Sequence, residues 1–110
     1  MNLLSVHALM NWPAYGSYCA TEAACLSAAQ CIRAELRPGG IKVLNVFFGP
    51  LDTEWFQTVP PPKLTPVALA NAVVRALKQG IEDVFVGDVA EDIRQRLAVN
   101  PKALEREMAS

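Results

Sequence analysis

The chain lacks an excess of charge of either sign and a long apolar run, and its first residues do not resemble a signal peptide. Its 110 residues include 10 Lys and Arg and 11 Asp and Glu, so its formal net charge is -1. A nucleic-acid-binding domain usually carries a clear basic excess, so we expect no nucleic-acid partner. No apolar stretch approaches the roughly 18 residues of a membrane span, and no signal peptide is recognisable, so we expect no membrane partner.

The chain also lacks cysteine pairs spaced for a disulfide or a metal. Cys19, Cys25 and Cys31 are six residues apart, which on a helix is about 9 Å and roughly 240°. That separation exceeds the roughly 7 Å limit for a disulfide, and no CxxC pair is present. We expect a protein without a metal site, with reduced cysteines in the cytoplasm. The three side chains are predicted to act as small buried apolar groups, with a reactive thiol as the alternative.

What is present is a high apolar content for a short chain. Hydrophobic residues make up 52% of the sequence and charged residues 19%, which is too apolar for a disordered segment. Domains typically run about 100–150 residues. We therefore expect one domain over residues 1–110 with a single modest core.

The first half of the chain is predicted to form two strands around one long helix. Residues 1–8 are interpreted as a short buried strand and residues 41–48, which are rich in β-branched and aromatic side chains, as a strand buried on both faces. Residues 18–37 are predicted to be helical. This helix is apolar around almost its whole circumference, so we expect it to be buried on more than one side.

The second half is predicted to continue the alternation. Thr65 and Pro66 are typical of an N-cap and first helical residue, and the helix is expected to run to Gln79 with an apolar stripe for a core or a partner. A third strand is predicted over residues 81–87. Helices are then expected to Val99 and Met108, the first beginning with a capping box. The stripe comprises Leu69, Val73 and Leu77, and the capping box comprises Asp88 and Glu91.

Strands separated by helices predict an α/β fold with a parallel sheet of about three strands flanked by helices. Ligands bind such sheets at the carboxyl ends of the strands. In this chain those ends are residues 5–7, 48–50 and 87–88. We therefore expect the functional site at that edge.

Three features in order carry a family resemblance. Ser5 precedes Tyr18 by thirteen residues, Tyr18 begins the alanine-rich helix, and the turn over residues 48–53 follows the next strand. Together they resemble the short-chain dehydrogenase/reductase family. The resemblance is strong over residues 1–58 and continues over residues 65–88. It implies part of a Rossmann-like parallel sheet.

The resemblance also implies roles for individual residues in an NAD(P)-dependent interconversion of a carbonyl and an alcohol. Ser5 is similar to the serine that hydrogen-bonds the carbonyl of a small-molecule substrate, and Tyr18 to the tyrosine that donates the proton. In the family, a turn at this place holds the nicotinamide carboxamide, and the resemblance implies this role for Gly49, Leu51 and Thr53.

Three further residues are candidates for substrate contact. His7 is the only histidine, and it is either a substrate contact or a pocket-wall or partly exposed ring. Trp55 and Phe56 lie in the loop that in the family closes over substrate, and packing against the core is the alternative.

The sequence departs from the family pattern at one catalytic position. The family has a lysine one helical turn after the tyrosine, and here that position is Glu22. A carboxylate beside a phenol disfavours the phenolate and cannot supply an ammonium group to a ribose. Phe48 stands where the family usually has proline, which we expect to affect only loop shape.

The glycine-rich phosphate loop of the family does not occur in these 110 residues. We therefore expect the chain to correspond to the C-terminal, catalytic half of such an enzyme and to be inactive alone. The alternative is a non-catalytic interaction module. We expect a homo-oligomer formed through helices 18–37 and 65–79, with a complex with another chain as the alternative.

Overall fold

The structure, a computed structural model, describes residues 1–51 and 63–109. Its strands and helices alternate as predicted, and the α/β fold class is confirmed. The strands are shorter than expected. Residues 6–8 form a 3-10 turn after the first strand, and residues 41–44 and 81–82 precede the second and third strands. The elements are β1 (Asn2–Ser5), α1 (Gly16–Leu36), β2 (Asn45–Phe48), α2 (Pro66–Gln79), β3 (Asp83–Val86), α3 (Asp88–Val99) and α4 (Pro101–Ala109), with short 3-10 turns at Val6–Ala8, Pro13–Tyr15 and Arg37–Gly39.

The three strands form one parallel sheet in the order β1-β2-β3. The register pairs Ser5 with Phe48 and Phe48 with Val86. The last residues of the three strands therefore lie side by side. This arrangement places the three predicted carboxyl ends at one edge of the sheet, as the sequence indicated.

Alternating side chains of the sheet pack into two separate cores, which corrects the expectation of a single core. Val46 faces one cluster, which α2 covers with Leu69, Val73 and their neighbours. Phe85, which stacks on Phe47, belongs to the other cluster. Because successive strand residues point to opposite faces, the two cores lie on opposite sides of the sheet. The second core is closed by α3 and α4, and its buried members are Val6, Ala90, Ile93 and Leu104.

The environment of α1 differs from the prediction. Only Cys19 and Ala29 of this helix are buried, so the expectation of burial on more than one side is wrong for the described structure. Cys25 and Cys31 are exposed, which also corrects the prediction that all three cysteines are buried. All three thiols are free, as expected. The alanine-rich composition made the helix able to pack closely, but the described residues cover only one narrow face.

The termini of α2 agree with the sequence, and the capping box of α3 does not. The Thr65 hydroxyl accepts a hydrogen bond from the Ala68 amide, and Gly80 ends the helix in the left-handed conformation. Helix α3 instead has Gly87 at its N-cap without a side-chain bond, because Asp88 is already its first helical residue. In the predicted stripe of α2, Leu77 is 57% exposed, and Ala72 and Ala76 are buried in its place.

Candidate active site at the end of the first strand

The site is built on the turn that follows β1. Ser5 ends the strand and caps the 3-10 turn Val6–Ala8, because its Oγ accepts the His7 amide at 3.1 Å. Val6 is only 1% exposed and is anchored in the second core. The packing of α3 and α4 around Val6 therefore fixes the position of the turn. The sequence did not reveal this role of the two helices.

Ser5 is held by two further bonds. Its Oγ lies 2.7 Å from His7 Nδ1. Its backbone amide donates to Glu22 Oε2 at 2.9 Å. The Glu22 carboxylate is thus directed at the end of β1. Glu22 links α1 to the strand that carries the serine, an interaction between side chain and backbone that residue spacing does not predict.

An aromatic cluster surrounds the His7 ring. Trp12 stacks on it with ring centroids 6.1 Å apart, and Tyr18 meets it edge-on at 5.3 Å. Tyr15 packs edge-on against Trp12 at 5.2 Å. The Trp12 amide donates to Cys19 Sγ at 3.4 Å, which ties the loop to α1. The structure therefore brings Ser5 and Tyr18 into contact with the same imidazole.

The His7 imidazole is partly removed from water. Burial lowers its pKa below the ordinary value of 6.5, and the charge of Glu22 raises it in part. Its Nδ1 faces Ser5, whereas Nε2 is buried without a hydrogen-bond partner among residues 1–51 and 63–109. A neutral ring at pH 7 follows, since desolvation disfavours the charged form.

The second part of the site lies at the end of β2. The space where a side chain at Gly49 would begin is occupied by Val89, whose Cβ lies 2.9 Å from that position. Leu51 forms a parallel bridge with Leu64, and the Leu64 amide donates to the Pro50 carbonyl at 2.9 Å. Leu51 and Leu64 are therefore held together beside the end of β2. Three predicted site residues, Thr53, Trp55 and Phe56, lie outside the described residues.

These groups suit proton donation to an oxygen at the sheet edge. Ser5 offers a hydroxyl, and Tyr18, at 47% exposure, offers a phenol open to solvent. Gly49 and Leu51 follow β2 at the carboxyl edge of the sheet, the edge at which ligands bind open parallel sheets. The donor set lacks a cation at position 22, so ribose hydroxyls would meet a carboxylate already bonded to the Ser5 amide.

Two contributors were not identified from the sequence. Trp12 covers the His7 ring, and the clustering of Trp12, Tyr15 and Tyr18 within seven residues was the available signal. Leu64 pairs with Leu51 beside the end of β2, and nothing in its local sequence distinguishes it from any other apolar residue.

Two findings describe what the chain does not contain in its described part. No helix within residues 1–51 and 63–109 combines the length and the apolar character needed to cross a membrane. In the same residues, no group of three His, Cys, Asp or Glu side chains is arranged to hold a metal ion.

Comparison with known proteins assigns the family. The profile of the family described as short chain dehydrogenase matches residues 1–63. A short chain dehydrogenase from Burkholderia cenocepacia J2315, whose crystal structure was solved in complex with NADP, is 38% identical, with a TM-score of 0.93. The match covers 99% of this chain and 46% of that one, so the chain spans about half of that relative's length. No curated protein matches. With a family match over more than half of its residues, the chain belongs to the short chain dehydrogenase family.

Proposed function

We propose that residues 1–110 supply the catalytic and substrate-facing half of an oxidoreductase that interconverts a carbonyl and an alcohol with NAD or NADP. The cofactor would supply or accept the hydride. The observation that carries the proposal is the cluster of Ser5, His7, Tyr18 and Glu22 at the carboxyl edge of the sheet. The 38% identity to a dehydrogenase crystallised with NADP supports the choice of cofactor class.

In this proposal each residue has a chemical task. Ser5 donates a hydrogen bond to the substrate carbonyl oxygen, and Tyr18 delivers the proton to the same oxygen. Gly49, Leu51 and Thr53 hold the nicotinamide end of the cofactor. His7, Trp55 and Phe56 contact substrate. Because the phosphate-binding loop typical of dinucleotide sites is absent from these 110 residues, we expect tight cofactor binding to need further residues.

The first experiment is a fluorescence titration of the chain alone with NADPH and with NADH. We expect no saturable binding at micromolar concentration, because the glycines that allow close approach of a pyrophosphate are missing. Saturable micromolar binding would contradict the assignment of cofactor binding to residues beyond this chain.

The second experiment concerns Glu22. When the chain is supplied with a complementing half that carries a glycine-rich βαβ unit, Glu22→Lys is expected to increase carbonyl reduction. Glu22→Gln is the matched control, because an amide oxygen can still accept from the Ser5 amide but adds no cation. An equal rate for both variants would show that the charge at position 22 does not limit the reaction.

A second candidate function is a non-catalytic interaction module, and the exposed face of α1 supports it. The exposed apolar residues of this helix include Ile32, at 47% exposure, and α2 exposes Val67, Val74 and Leu77. Burial of such area is the main favourable term in association. On this reading helices 18–37 and 65–79 contact a second copy of the chain. The three free thiols support a cytoplasmic location for either function.

Sedimentation at tens of micromolar tests the interaction module. We expect a species larger than the monomer, which Ile32→Glu dissociates. Gln30→Glu adds the same charge at a nearby exposed position of α1 and should leave the assembly intact. A folded chain that is strictly monomeric would exclude the interaction module.

A further inference from the structure

The Ser5 hydroxyl is surrounded on its acceptor side by a single residue. His7 presents its backbone amide to Ser5 Oγ at 3.1 Å and its imidazole Nδ1 at 2.7 Å. A serine hydroxyl has one proton to donate and two lone pairs that accept. If both groups of His7 donate, both lone pairs are occupied, and the hydroxyl can act only as a donor.

Whether the imidazole donates to Ser5 depends on its tautomer. With the proton on Nδ1, the ring donates to Oγ and the serine proton stays available for another acceptor. With the proton on Nε2, Nδ1 would instead consume the serine proton. Nε2 is buried without a partner in the part of the chain that the structure describes, whether it carries the proton or not, so it does not select a tautomer. The two forms differ at Ser5, because only a proton on Nδ1 lets both groups of His7 donate to Oγ.

We propose that His7 is a positioning residue that keeps its proton on Nδ1, saturates the lone pairs of Ser5 Oγ and thereby directs the serine hydroxyl proton to the substrate carbonyl oxygen. The choice of tautomer and the destination of that proton both rest on the proposed function, in which the serine hydroxyl donates to the substrate. No covalent bond changes in this step.

The surroundings of the ring favour this arrangement. Trp12 and Tyr18 contact the imidazole on its face and at its edge, so its orientation is restricted. Glu22 of α1 accepts a hydrogen bond from the Ser5 backbone amide at 2.9 Å, which holds the end of β1 in place. The lowered pKa of His7 keeps the ring neutral near pH 7, which makes the choice between two neutral tautomers the relevant one.

Nitrogen-15 NMR of the chain labelled in the imidazole of its single histidine tests the proposal directly. We expect the wild-type spectrum at neutral pH to show a protonated Nδ1 and a bare Nε2. In Ser5→Ala the acceptor is lost, so the population is expected to shift toward the Nε2-protonated form. Ser5→Thr keeps the hydroxyl and should retain the wild-type tautomer.

A wild-type ring protonated on Nε2 would overturn the proposal without any variant. A tautomer that is unchanged in a folded Ser5→Ala chain would also overturn it, because something other than Ser5 would then hold the Nδ1 proton. The measurement needs neither cofactor nor substrate. A failure to find carbonyl reduction would therefore count against the proposed function while the spectrum still decides the role of His7.

Discussion

The two helices that connect neighbouring strands, α1 and α2, differ in how they meet the sheet. Helix α2 buries a defined stripe, and its N-cap and glycine C-cap are formed by the residues that the sequence suggested. Helix α1 is longer, yet only two of its 21 residues are buried, and its N-cap makes no side-chain bond. The apolar composition of a helix thus indicates how much apolar surface it has, whereas the spacing of its apolar residues indicates which face is buried.

The largest expected effect on stability is at α2, where the predicted apolar stripe has one buried end and one exposed end. Leu69 is 7% exposed and Leu77 is 57% exposed. Leu69→Ala should lower the free energy of unfolding by about 2–5 kcal/mol, because it leaves a cavity in the first core. Leu77→Ala should change it by less than about 0.5 kcal/mol in urea unfolding of the monomeric chain. An equal loss for both would show that Leu77 is buried in solution.

The next effect concerns how α1 is attached at its C-terminal end. The Arg33 guanidinium donates to the Val43 carbonyl at 3.0 Å, to the Glu82 carbonyl at 2.7 Å and to Asp83 Oδ1 at 2.8 Å. Arg33→Met should cost about 1.5–3 kcal/mol, because hydrogen bonds to a charged group are lost at a side chain that is only 12% exposed.

Arg37→Met is the matched control for Arg33, since Arg37 makes an exposed ion pair with Glu82 at 3.1 Å. Its loss should be below about 1 kcal/mol. If the two arginine variants unfold at the same denaturant concentration, the attachment of α1 does not depend on Arg33.

A smaller effect distinguishes the narrow buried face of α1 from its exposed face. Ala29 is 3% exposed, and its neighbour Ala28 is exposed. Ala29→Leu should destabilise the chain by about 1–3 kcal/mol because added methyl groups do not fit a packed contact. Ala28→Leu should leave thermal unfolding nearly unchanged. Destabilisation by Ala28→Leu would indicate that α1 is covered on a second side.

The smallest expected effect on stability comes from removing the N-cap side chain that α2 has and α1 lacks. Thr65→Ala removes the hydroxyl that accepts the Ala68 amide at 3.1 Å. The expected loss is about 1 kcal/mol, and Thr65→Ser should recover most of it in the same unfolding measurement. A variant as stable as the wild type would show that the proline after the cap is sufficient to start the helix.

Much of the fold and part of the site could be predicted from the sequence. The alternation of elements, the parallel sheet, and the positions of Ser5 and Tyr18 at its carboxyl edge follow from local pattern and family resemblance. The contact of Glu22 with the Ser5 amide could not be predicted, because it joins side chain and backbone seventeen residues apart. The spacing indicated only that Glu22 and Tyr18 share a helix face.

What the sequence alone determined was therefore the set of elements and the residue types that reach the site. Only the tertiary structure decided that α3 and α4 support the turn through Val6, that Leu64 pairs with Leu51, and that most of α1 is exposed. The physical reason is that propensity, capping and periodicity act within one element. Burial and hydrogen-bond partners are set by residues distant in the chain, and those contacts depend on how the elements pack.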